Sequence, residues 1–197
     1  AMRTELPRKP LDSRTRSRFR GCLLGGAVGD ALGAPVEFMS AEEIRTCFGP
    51  AGIRDFAPAF GRLGAITDDT QMMLFTAEGL MRGYLREQNK WFYRARGMIG
   101  SAYMRWLHTQ GEKHRMHEVC LDGWLISHRE LFARRAPGNT CLSALHAMNR
   151  ADDLAESRQS WVLFGAASSR RATEPAWLPL ERGAGAICSR LGLKLRR

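Results

Sequence analysis

Four consecutive oxygen-bearing side chains, Thr67-Asp68-Asp69-Thr70, stand where a Gly- and Pro-rich stretch gives way to an amphipathic run. Two chemistries fit them. In the first, Thr67 or Asp68 caps the helix and Asp69 complements its positive end. In the second, adjacent carboxylates beside a hydroxyl form half of a site for a hard cation such as Mg2+ or Mn2+, since like charges this close are costly without one. Asp30 lies inside the run Gly29-Asp30-Ala31-Leu32-Gly33, whose small and apolar residues argue for burial, and a buried carboxylate needs a partner. Glu37 sits on a turn behind Pro35, either as an ordinary surface glutamate or as a general base that positions a water.

Other reactive side chains do not assemble. His108, His114, His117, His128 and His146 make no ligand set for zinc, although His114 and His117 are three apart. Cys22, Cys47, Cys120, Cys141 and Cys188 are an odd number at wide spacings with no CxxC, and read as free thiols in a reducing compartment. The first ten residues contain Pro7 and Pro10 and no apolar stretch, so they do not read as a secretion signal, and the expected location is cytoplasmic.

The elements that must position these groups are helical. The character changes at Phe19, and from Cys22 to Ala34 the chain is nearly continuously apolar or small, with Leu24, Val28 and Leu32 on one stripe and Gly21, Gly25, Gly29 and Gly33 on another. Each helical glycine costs about 1 kcal/mol relative to Ala. The expectation is therefore a buried central helix with its glycine face tight against a neighbour, ended by Pro35. Ser40 and Glu43 form a capping box for a short helix that stops at Gly49. Residues 50–66 read as a long loop, and helical order returns from Thr67 to Leu85 with Leu74, Ala77, Met81 and Leu85 in line. Further helices are expected over Met98–His108 around Trp106, over Asp122–Phe132, and from a Thr140 cap through Met148. Alternating patterns are almost absent, and the body reads as all-α.

The chain has 197 residues and a formal charge of +10, which taken whole suggests an anionic polymer as partner. The charge is terminal, however. Residues 1–20 hold seven basic and two acidic groups, residues 158–197 hold eight and two, and the 137 residues between hold 15 and 16. The basic ends carry no interleaved aromatics, so nucleic acid is not the expected partner. No stretch approaches 18 uninterrupted apolar residues, so no membrane span is expected either.

Taken together, RFRGCLLGGAVGDALGAPVEF (18–38) and GRLGAITDDTQMMLFTAEGL (61–80) resemble the ADP-ribosylglycohydrolases, the group that includes dinitrogenase-reductase-activating glycohydrolase. AYMRWLHTQG and RRAPGNTCLSAL add weaker support, and the likeness in order and spacing covers roughly residues 18–150. The resemblance implies an all-α orthogonal helical bundle around a binuclear Mg2+ or Mn2+ centre. It places Thr67, Asp68 and Asp69 among the metal ligands, Glu37 and Asp69 in catalysis, Glu37 and Asp68 against substrate, and Asp30 as a supporting residue. The implied reaction is hydrolysis of the glycosidic bond between ADP-ribose and a modified side chain, arginine foremost. Neither cysteine nor histidine is required.

The resemblance also defines a departure. The family's Gly-Cys-Gly segment and late Asp-x-Asp-Thr cluster have no counterpart here, and ADDLAE (151–156) does not replace them. The expected organisation is a flexible basic arm over 1–17, a partial family domain over 18–156, and an atypical basic segment over 157–197 of the kind a truncation or shifted reading frame leaves. Two alternatives follow: a catalytically incomplete remnant that binds ADP-ribose or a partner protein, and a basic nucleic-acid-associated protein. An incomplete bundle would also expose apolar surface and favour self-association.

Overall fold

The computed structural model describes residues 12–88, 95–113 and 121–148. The elements in order are α1 (Ser13–Gly33), a 3-10 turn (Ala34–Val36), α2 (Ala41–Phe48), a minimal hairpin of β1 (Pro58–Ala59) and β2 (Arg62–Leu63), α3 (Asp68–Gln88), α4 (Ala95–Thr109), two 3-10 turns (Leu125–Ser127 and Arg129–Leu131) and α5 (Asn139–His146). The described residues are predominantly helical, as the sequence pattern requires. No single described helix is long and apolar enough to cross a membrane; Ser13–Val36 and Ala41–Phe48 together have the length and composition but are bent by 96°.

The chain forms two compact units, Leu23–Ser169 and Ala1–Cys22 with Arg170–Arg197, and α1 crosses the boundary. In the second unit, α1 starts at Ser13, inside the stretch read as a loose arm. Asp12 caps it by accepting from Thr15 N at 2.8 Å and Thr15 Oγ1 at 2.7 Å. The expectations for residues 1–11, His114, His117, Cys120 and 149–197 fall outside the described residues.

In the main unit, α3 and α4 form the principal packed pair. Gly79 makes the closeness possible: a Cβ there would lie 3.0 Å from Ile99 Cα and from Met98 O, and 3.2 Å from Ala102 Cβ. Phe75, Tyr103, Met104, Trp106, Leu107 and Leu145 are fully buried around this crossing. Trp106 is thus the core anchor that the sequence suggests. The capping box of α2 is present, with Ser40 N donating to Glu43 Oε2 at 2.6 Å and Glu43 N to Ser40 Oγ at 3.2 Å.

Four expectations are corrected. The glycine stripe of α1 does not face a neighbour among the described residues: Gly25, Gly29 and Gly33 have open space where a Cβ would stand, and Leu24 is 60% exposed. The close approach instead falls one residue over, at Gly26, whose Cβ would meet Met73 Sδ at 2.9 Å. Gly26 and Asp30 are one turn apart on the face that meets α3, which decides the helix's rotation. On α3 the inward face carries Met72, Phe75, Gln71 and Glu78, while Met81 of the expected apolar line is 49% exposed.

Residues 122–132 are not one helix. Gly123 has φ +120°, Glu78 Oε1 captures the N–H groups of Trp124 and Leu125, and His128 is extended, so the segment breaks into two 3-10 turns. Finally, α5 begins at Asn139 without a side-chain cap from the preceding Gly138, and Thr140 lies inside it.

Candidate functional site

The site grows from the N-terminus of α3. A helix start leaves orphan N–H groups and a partial positive charge. Here a carboxylate from α1 answers both. Asp30 Oδ2 accepts from Thr67 N at 2.8 Å, Thr70 N at 3.3 Å and Thr70 Oγ1 at 2.5 Å, and Asp30 Oδ1 accepts from Thr67 Oγ1 at 2.6 Å. Thr67 and Thr70 are three apart, so at a helix start they present to one side and grip one carboxylate from both ends. Thr67 Oγ1 also accepts from Asp69 N at 3.2 Å, and Thr67 O from Gln71 N at 3.4 Å, the local cap anticipated from the sequence. The two threonines thereby commit themselves to Asp30, while Asp68 turns to other partners.

Asp68 is 5% exposed and is held by the segment before α5. Its N–H donates to Arg135 O at 3.0 Å and its Oδ2 accepts from Gly138 N at 3.3 Å. Arg135 closes the same corner by donating from Nη1 to Ile66 O at 3.1 Å. Burial first, then the charges of Asp69 and Glu37, push the Asp68 carboxyl up from 3.8 to about 7. Glu37, on the turn after the 3-10 segment, is half-buried, and it and Asp69 act on Asp68 through their charge.

This shift has a stability consequence of definite sign. Between about pH 4 and pH 7 the unfolded chain releases the Asp68 proton while the folded chain keeps it, so stability falls as pH rises through that window. Above pH 7 the penalty is fully present. Asp68→Asn, which keeps an oxygen for Gly138, is expected to be more stable than the parent at pH 8 by about 2 kcal/mol after solvent screening, and equal to it below pH 4. Urea unfolding at both pH values measures this; an unchanged difference between them would refute it.

Among the described residues the donors do not form a complete metal centre. A binuclear site needs several converging oxygen ligands per ion. Among the described residues, no group of three or more His, Cys, Asp and Glu side chains is arranged to hold a metal. Asp30 already accepts four hydrogen bonds and Asp68 one. Asp69 and Glu37 act on Asp68 through their charge.

Sequence reasoning missed three contributors. Gly138 and Arg135 were visible only as a Pro-Gly break after two arginines. Gln71 was read as one position of an amphipathic helix, yet it donates from Nε2 to Ala133 O at 3.0 Å and accepts at Oε1 from Trp106 Nε1 and Gln110 Nε2, each at 3.1 Å. That network ties the 133–138 segment to the helical core, and so holds the partners of Asp68.

Comparison with known proteins agrees with this reading at the family level. An "Uncharacterized protein" of Archaeoglobus fulgidus is 51% identical over 67 residues, 32% of this chain and 21% of that protein's length. The chain therefore matches about a fifth of that relative. No solved structure matches. The family model for ADP-ribosylglycohydrolase matches residues 11–187, reaching into the segment beyond 157 that the sequence pattern set apart. With Asp30 locked to the T-D-D-T turn and a match over most of its length, the chain belongs to the ADP-ribosylglycohydrolase family.

Proposed function

We propose that this chain is a ligand-binding member of its family, holding ADP-ribose or a partner protein that carries it at the Thr67–Thr70 turn, without completing a hydrolytic metal centre. One observation carries the reading: Asp30 grips both threonines of the turn, while no three metal-donor residues converge among the described residues. Such an arrangement keeps a shaped polar corner that can hold a ligand.

A second reading, favoured by the three carboxyl groups of Glu37, Asp68 and Asp69 acting on one another at one turn, is a Mg2+- or Mn2+-dependent hydrolase like dinitrogenase-reductase-activating glycohydrolase. It would release ADP-ribose from a modified arginine, with Glu37 or Asp69 accepting the proton of the attacking water. Calorimetric titration with ADP-ribose and a release assay on ADP-ribosyl-arginine with either metal separate the two. The expected result is saturable ADP-ribose binding with release no faster than in Asp69→Ala. Release abolished by Asp69→Ala would establish the hydrolase, and absence of ADP-ribose binding would sink the first reading.

A further inference from the structure

The end of α4 posts a carboxylate at a fixed place. Gly111, at φ +75°, donates to His108 O at 3.0 Å, and Glu112 N reaches back to Leu107 O at 3.3 Å, the paired bonds of a Schellman cap. Leu107 is fully buried, so the core sets where Glu112 stands.

That carboxylate is shared between two partners. Glu112 Oε1 accepts from Arg134 Nη1, and Oε2 lies 3.2 Å from His146 Nε2. Arg134 comes just before Arg135, and His146 is the last residue of α5. Glu112 therefore ties both ends of the 134–146 stretch, and that stretch contains the two groups that hold Asp68, Arg135 O and Gly138 N. The stretch has little slack of its own. Ala136 is held at φ +53°, Gly138 O accepts from Leu142 N at 3.0 Å, and Cys141, Leu142, Ala144 and Leu145 are buried. A displacement at His146 is thus carried along α5 to Gly138.

The two arms differ in chemistry. A guanidinium keeps its charge, whereas an imidazole is a cation only when protonated. Arg134 first, and His146 after it, hold the Glu112 carboxyl below its usual range, so the shared anion persists into mildly acidic solution. The other charged groups nearby are otherwise engaged or exposed: His108 sets its ring perpendicular to Phe132 with centroids 6.1 Å apart, Arg105 pairs with Glu78, and Lys113 is exposed.

We infer that Glu112 is a positioning residue for the Thr67–Thr70 turn, a two-armed clasp on the 134–146 stretch whose His146 arm tightens when the imidazole is protonated. At mildly acidic pH both arms are charge-assisted and the partners of Asp68 are held firmly. As pH rises and the imidazole loses its proton, that arm falls back to a neutral hydrogen bond and Arg134 carries the clasp.

Hydrogen exchange of the Gly138 amide in the full chain tests this, read as protection so that the intrinsic pH dependence of exchange cancels. Measurements at about pH 5.5 and about pH 8.5 bracket the range in which imidazoles titrate. Comparing proteins at equal pH also cancels the titration of Asp68. The parent is expected to protect Gly138 about threefold better than His146→Gln at the acid pH, the effect of one partly exposed ion pair, and equally at the alkaline pH. His146→Lys, a cation at both, should keep the added protection at both. In Glu112→Gln the difference between histidine and glutamine at 146 should vanish. Each substitution is at a side chain outside the buried face of α5, so folding is preserved. Equal protection in the parent and His146→Gln at the acid pH, or a difference that survives in Glu112→Gln, overturns the inference. The readout uses no ligand, so its failure and a failed ADP-ribose titration are separate results.

Discussion

Glu78→Gln is expected to destabilise the folded chain by about 3–5 kcal/mol, enough to unfold a marginal domain of this size. Glu78 and Arg105 face each other across the α3–α4 crossing at 3.0 Å with side chains 1% and 2% exposed. The other Glu78 oxygen accepts from Trp124 N at 2.6 Å and Leu125 N at 3.1 Å. The amide keeps the shape but removes the charge that compensates Arg105, and it turns an NH2 donor toward a site lined with donors. Arg105 would be left with Asp122 at 4.0 Å, a half-exposed carboxylate that Arg82 already engages. Gly123 adds a steric constraint, because a Cβ there would lie 2.6 Å from Glu78 Oε1, so the loop has no easy retreat. Urea unfolding reads the loss as a lower midpoint. The double variant Glu78→Gln/Arg105→Met should recover part of it, since no buried charge is then left uncompensated and the amide oxygen can still accept from Trp124 N and Leu125 N. A single variant within about 1 kcal/mol of the parent would show that the pair is not the organiser of this loop.

This ion pair also explains why part of the fold escaped the sequence. Apolar periodicity identified the helices, because Met98, Ile99, Tyr103, Trp106 and Leu107 recur at helical spacing and do lie inward. It failed on the rotation of α3, because Gln71 and Glu78 look like solvent positions while their partners, Trp106, Gln110 and Arg105, are distant in sequence. Polar residues that satisfy one another are invisible to a hydrophobic pattern. On α1 the same limit took another form. A stripe of four glycines looked like the contact face, but the contact needs one glycine, Gly26, on the side that carries Asp30. Local signals that need no distant partner, such as the Ser40–Glu43 box, were read directly. The segment after Gly123 was not, since its conformation is dictated by a carboxylate 46 residues earlier in the chain.

The turn that defines the site rests on Asp30, and Asp30→Ala is expected to cost about 3–4 kcal/mol. The carboxylate accepts four hydrogen bonds from Thr67 and Thr70, two of them from backbone N–H groups at the start of α3. Hydrogen bonds to a charged acceptor contribute about 1.5–3 kcal/mol each and do not add, and the anion also complements the helix's positive end by up to ~2 kcal/mol. Removing it strands two buried threonines, which are 3% and 4% exposed. Asp30→Asn should fall between Ala and the parent: one amide oxygen can still accept, but the NH2 faces hydroxyl and amide donors. Unfolding midpoints order the three proteins. Hydrogen exchange makes the test specific, because Thr67 and Thr70 amides should lose protection in Asp30→Ala before the core amides of Trp106 and Leu107 do. Equal loss across all four would mean that Asp30 supports the fold globally. Selective loss would mean that it holds the T-D-D-T turn in the one conformation in which Asp68 meets Gly138, so the site is built from α1 even though its acidic residues belong to α3.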